Sequence, residues 1–111
     1  LLYRNGTLSH ILTPDNHQFY SPDPSYSHFS TAPMSGFGLF DELHYTVREV
    51  KVFDRDTIIL LSDGVYSRMS LQELQFILDK NESDFEVIDQ LFDFANNRGN
   101  RDNQTCLFLR Y

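Results

Sequence analysis

The sequence predicts an α+β fold, mainly antiparallel, with a helical hairpin covering one face of the sheet. Three observations carry this prediction. Asn5-Gly6 stands between apolar residues as a two-residue hairpin turn. Ile58 to Leu61 is a short apolar run, rich in β-branching, that stops abruptly at Ser62-Asp63-Gly64. Two capping boxes, Ser70 with Glu73 and Ser83 with Glu86, open consecutive amphipathic stretches. The resulting order is strand-strand, loop, strand-strand, helix-helix, strand.

Leu1 to Leu12 reads as a β-hairpin, because Asn and Gly both tolerate the positive φ that a type I′ turn demands. Leu2-Tyr3 flanks the turn on one side, and Leu8 with Ile11-Leu12 on the other. From Thr13 to about Gly36 the pattern dissolves. Four prolines punctuate Ser, His, Tyr and Phe with neither the helical nor the strand period. A connection this long tends to be functional. Tyr45 to Phe53 reads as a strand with a bulge near Arg48-Glu49, since Tyr45 and Val47 differ in parity from Val50 and Val52. Asp54-Arg55-Asp56 then turns the chain into the central strand and completes a second hairpin. That strand, Ile58–Leu61, reads as buried on both faces, although on periodicity alone so short a run also fits a buried helical turn.

Ser70 to Lys80 follows as an amphipathic helix, with Leu71, Leu74, Ile77 and Leu78 on one stripe. The second helix runs from Ser83 to about Asn97, with Phe85, Ile88, Leu91, Phe92 and Ala95 inward. Gly99 caps its C-terminus, and Arg98 complements the dipole there. Cys106-Leu107-Phe108-Leu109 closes the chain as another buried strand.

At 111 residues the chain is at most one domain, and folding removes about two-thirds of the unfolded surface. A hydrophobic fraction of 41% with ten Phe supplies a core. The net charge of −7 argues against a nucleic-acid or anionic-membrane partner, because the sequence carries no basic run to release counterions. One cysteine allows no internal disulfide, which fits a reducing, cytoplasmic setting. The chain opens on Leu1-Leu2-Tyr3, already strand-like, so a longer parent is expected. The four histidines, His10, His17, His28 and His44, lack paired zinc-ligand spacing. Gly36-Phe37-Gly38 lacks the lysine and helix of a phosphate loop.

Connectivity points to one site. If the Ile58–Leu61 strand runs up, the helical pair goes down and returns, and the last strand descends antiparallel to it. Asp63 then leaves one strand at the sheet end where Asp102 enters another. Two carboxylates at such a rim suit Mg²⁺ or Mn²⁺, hard cations that prefer oxygen and retain water. Paired ions can bridge and activate a water. Asp-Gly turns and Asx turns also occur for purely structural reasons.

These residues resemble the C-terminal half of metal-dependent protein phosphatases of the type 2C (PPM) class. Asp56 to Tyr66 looks like that family's strand and Ser-Asp-Gly motif, and Gly99 to Thr105 is similar to its closing Gly-x-x-Asp-Asn-x-Thr motif. Leu2 to Gly6, followed by Leu12-Thr13-Pro14-Asp15-Asn16, looks like its hairpin and the segment after it. The resemblance implies half of an α-β-β-α sandwich. It implies Asp63 and Asp102 as ligands of a dinuclear Mg²⁺/Mn²⁺ centre, supported by Gly64 and Asn103. It also implies hydrolysis of phosphoserine or phosphothreonine in a phosphoprotein substrate by a metal-activated water, with no catalytic residue assigned within these 111 residues. The centre would be completed outside this chain, and the missing half or a second copy would complete the sheet. The first Asp-Gly motif of the family is absent, and Ser67 stands where many members carry an acid. These departures support an alternative: a phosphatase-like pseudoenzyme serving as a protein-binding or regulatory module.

Overall fold

A computed structural model describes residues 1–13 and 37–111. Pro14 to Gly36 lie outside the described residues, and with them His17, His28 and the Pro14-Asp15-Asn16 part of the hairpin-following motif. The chain divides into two units, one of Leu1–His10 with Lys51–Tyr111 and the other of Ile11–Val50.

The first unit is α+β. Its four-stranded antiparallel sheet is built from β1 (Leu2–Arg4), β2 (Thr7–Ser9), β3 (Thr57–Leu61) and β4 (Cys106–Arg110), in the order β2-β1-β3-β4. Three helices follow β3: α1 (Asp63–Tyr66), α2 (Leu71–Lys80) and α3 (Asp84–Asn97).

The hairpin forms as its turn chemistry requires. Asn5 and Gly6 both take positive φ, 51° and 73°, and Leu2 pairs with Ser9 across it. The turn before β3 is also present, with Arg55 at φ 72° and the Asp56 amide donating to the Phe53 carbonyl. Its expected partner strand is not. Residues 45–53 form no strand, and β3 pairs instead with β1 and β4. The alternation in Tyr45–Phe53 specified a pleat, whereas long-range pairing chose β1 as the neighbour.

Strand parity divides the sheet into two faces. Ile59 and Leu61, with Cys106 and Phe108 opposite them, face the helices and join the core of Leu8, Val65, Leu74, Ile77, Leu78, Val87 and Leu91. Leu60 pairs with Leu107, and Ile58 with Leu109, on the other face. There Leu60 is 51% exposed and Leu107 50%. Within this chain β3 and β4 bury one side and leave the other half-exposed, where the sequence reading has both faces covered.

The first capping box is complete. Ser70 Oγ accepts from the Glu73 amide, and Glu73 accepts from the Ser70 amide. The second is not, because Ser83 makes no side-chain cap bond. Asp84, in the first turn of α3, receives the Arg110 guanidinium instead. The buried stripe of α3 is Val87, Leu91 and Ala95, which rotates Phe85 out to 81% exposure, against the expectation that it points inward. Gly99, at φ 82°, closes the helix. Its amide reaches Asn96 O and the Asn100 amide reaches Ala95 O, the paired bonds of a Schellman motif. Among the described residues, no helix is long and apolar enough to cross a membrane.

Candidate functional site

The candidate site is the end of the sheet where β3 leaves and β4 begins. The Ser62 amide donates to Thr105 O at 3.0 Å, and the Thr105 amide donates to Ser62 Oγ at 2.9 Å. Ser62 therefore extends the β3–β4 contact by one more pair of bonds. α1 starts at once: the Val65 and Tyr66 amides both donate to Ser62 O.

Gly64 is the pivot. A Cβ on this residue would lie 2.1 Å from Asn103 O and 3.4 Å from Asp102 Cβ. The first distance is far inside any tolerated contact, so only glycine lets the two segments approach this closely. The same numbers place the base of the Asp102 side chain beside the Asp63-Gly64 turn. Asp63 and Asp102 thus sit at one end of the sheet, delivered there by α2 and α3 between them.

Both carboxylates have a local task. Asp63 Oδ1 accepts the Gly64 amide at 3.0 Å, and Asp102 Oδ1 accepts the Asn103 amide at 2.7 Å. Asn100 braces the second turn, accepting from the Asp102 amide and donating to the Asp102 carbonyl. Both aspartates are exposed. Each keeps its Oδ2 outside these bonds. Among the described residues, no group of three or more His, Cys, Asp or Glu is placed to hold a metal.

Sequence reasoning missed a second polar feature. Asp56, which opens the central strand, is buried at 2% exposure and takes a bidentate grip from Arg4, with Nε to Oδ1 at 2.9 Å and Nη2 to Oδ2 at 2.7 Å. The Phe53 amide adds a third bond to Oδ2. The Arg4 hydrogen bonds, helped by the Phe53 amide, hold the Asp56 carboxyl below the usual carboxylate range. This pair fastens the hairpin to the start of β3, at the opposite end of that strand from Asp63. The available signal was an acid immediately before an apolar strand. Cys106 lies half-buried on the helix face of β4, where burial pushes its thiol up to about 11.

Comparison with protein-family models and with curated proteins gives no match. Among solved structures, the chain is similar to PppA, described as a key regulatory component of T6SS in Pseudomonas aeruginosa. The TM-score is 0.77 at 23% identity, covering 98% of this chain and 46% of that one, so this chain spans less than half the length of its structural neighbour. The likeness establishes the fold. It also corrects the sequence-based identification of the chain as the C-terminal half of a metal-dependent serine/threonine phosphatase. No family model supports that identification, and the matching structure is described by a regulatory role. The physical reason lies in the motifs. Ser62, Gly64, Asp102 and Asn103 are each accounted for by building the β3–β4 strand end, so their spacing does not require catalysis.

Proposed function

We propose that this chain is a regulatory, protein-binding module on a phosphatase-like scaffold, and that it does not hydrolyse phosphoesters by itself. One observation carries the reading: Asp63 and Asp102 each accept the backbone amide that follows them, so turn building accounts for the motif without catalysis. The regulatory description of the structural neighbour favours the same reading.

A single hydrated Mg²⁺ or Mn²⁺ on Asp63 and Asp102 fits this proposal as a structural or sensing ion, with Gly64 and Asn103 supporting the turns. Bound there, it would supply positive charge to the strand end. The half-exposed Leu60 and Leu107 face calls for a second apolar layer, from the remainder of a larger domain or from a second copy. Two sheets packed face to face would cover it at about 10 Å separation.

The deciding experiment is hydrolysis of p-nitrophenyl phosphate by the full gene product, with and without Mn²⁺, alongside calorimetric Mn²⁺ titration. The expected result is no metal-dependent turnover, and at most one weak site that Asp63→Asn removes. Turnover that requires Mn²⁺ and disappears in both Asp63→Asn and Asp102→Asn would overturn the proposal.

A further inference from the structure

The two long helices leave a groove on the surface of the first unit, about 420 Å³ in volume, that the strand-end site does not use. Phe76, Ile77 and Phe94 provide its apolar surface, and Gln72, Gln90 and Asp93 its polar margin. Phe76 is 67% exposed, on a helix whose core stripe is Leu74, Ile77 and Leu78. A lone exposed aromatic is ordinary. This one stands across a concavity from a second phenylalanine, with a core isoleucine also in the lining.

The groove is rigidly built. Arg98 stacks over the Phe94 ring at 4.0 Å and binds Glu73 through both terminal nitrogens. Its guanidinium also donates to Arg68 O. This fixes one wall and neutralises Glu73. Asn81 and Gln90 exchange side-chain amide bonds and lock the α2–α3 connection.

The charge of the two helices that form the groove is one-sided. Leu71 to Asn97 contains Glu73, Asp79, Glu82, Asp84, Glu86, Asp89 and Asp93 against Lys80 alone. Arg98 pairs with Glu73 and Arg110 with Asp84, and the Tyr3 hydroxyl donates to Asp79. Among the described residues, Glu86, Asp89 and Asp93 make no ion pair. Their spacing of three and four residues puts them along one side of α3. Asp93 itself lines the groove.

We infer that the α2–α3 groove docks a basic amphipathic segment of a partner protein. Large apolar side chains of that segment seat between Phe76 and Phe94, and its Lys or Arg residues lie against Glu86, Asp89 and Asp93. The apolar contact supplies most of the binding energy, as central aromatic anchors commonly do. The acidic row sets partner choice and association rate. This rests on the protein-binding reading above and names the partner chemistry for one surface.

The test is fluorescence anisotropy with the full gene product and a labelled synthetic helix of about five turns (~18 residues). It carries Leu and Phe at helical spacing on one face and Lys on the flanks. A second peptide replaces every Lys by Glu. The basic peptide is expected to bind and the acidic one not. Phe76→Ala should weaken binding about tenfold or more, and Asp93→Lys several-fold, the latter effect fading as salt rises toward about 1 M. Phe76 is exposed, so its truncation leaves the fold intact, which circular dichroism verifies. Failure of the basic peptide to bind overturns the proposal. So does binding that both substitutions leave unchanged, which would mark diffuse attraction to an acidic surface. Sedimentation in which Phe76→Ala converts a dimer to a monomer also overturns it, by assigning the groove to a second copy. Metal-dependent hydrolysis would defeat the functional reading without changing any of these binding outcomes.

Discussion

Gly64→Ala separates packing at the strand end from intrinsic helix preference, because the two predict opposite signs. Gly64 lies in α1 at an ordinary φ, and propensity alone makes alanine better there by about 1 kcal/mol. Against this, the new methyl would sit 2.1 Å from Asn103 O. That oxygen is backbone, so it cannot rotate aside, and reaching ordinary contact requires a retreat of ~1.3 Å. Overpacking of this kind costs about 1–3 kcal/mol. The retreat also strains the paired Ser62–Thr105 bonds, worth about 0.5–1.5 kcal/mol each. The expected net effect is about 1–3 kcal/mol of destabilisation, read as a lower urea midpoint at unchanged slope. For a chain of this size the melting temperature should fall by roughly 4 °C per kcal/mol. Amide resonances of Asn103 and Thr105 should move more than those of the hairpin. Gly99→Ala is the control: its φ is positive but nothing lies within 4 Å, so it incurs backbone strain alone and leaves the Asn103 resonance in place. A Gly64→Ala protein as stable as the parent, or more so, would refute the close approach on which the site description depends.

Four further outcomes are expected. Leu91→Ala empties a fully buried position on α3 and should cost about 2–5 kcal/mol in urea unfolding, with the loss growing with the cavity that remains. Ser70→Ala removes the capping-box acceptor and should cost about 1 kcal/mol in the same assay. The folded carboxyl of Asp56 is depressed, so its stabilisation is present above the ordinary Asp range and lost as pH falls through the lower folded value. Asp56→Asn should therefore flatten the acid limb of the stability–pH curve and lower stability at neutral pH, as followed by fluorescence during acid titration. The Cys106 thiol, raised to about 11, should react with iodoacetamide far more slowly in the folded protein than in urea at alkaline pH. Equal rates would place it outside the packed face of β4.

The features legible in the sequence are those whose chemistry closes within a few residues. Asn5-Gly6 specifies its own backbone angles, Ser70 and Glu73 satisfy each other, and Gly99 accepts a conformation that its neighbours would resist. The antiparallel placement of β4 beside β3 followed from the parity of the two long helices between them. Where the reading went astray, a distant partner decided. Ser83-Glu86 has the same letters as Ser70-Glu73, yet Asp84 is held by Arg110, 26 residues away. Phe85 lost its inward position because packing follows Val87, Leu91 and Ala95, one helical stripe that hydrophobicity alone does not single out. The Arg4–Asp56 pair spans 52 residues and leaves only a weak local trace. The α2–α3 groove depends on an aromatic off the core stripe, which periodicity assigns to solvent and then ignores.

The strand-end motif shows why a short pattern can indicate a fold more securely than a reaction. A glycine is demanded wherever another backbone carbonyl passes at the Gly64–Asn103 distance. An aspartate just before it can satisfy the Gly64 amide, and an Asp-Asn turn just before β4 repeats that solution on the neighbouring strand. Any chain that crosses two antiparallel strands this closely has reason to carry these residues, whether or not it binds an ion. Catalysis needs something further: enough additional oxygen ligands to hold and bridge two metals around a water. Asp63 and Asp102 offer the start of such a site and have structural work in its absence. For that reason the discriminating variants are the isosteric ones. Asp63→Asn and Asp102→Asn keep an oxygen for the backbone amide while removing the charge a cation needs. A loss of metal affinity with little change in urea midpoint would separate ion binding from turn building. Loss of stability without any metal effect would assign both residues to the turn alone.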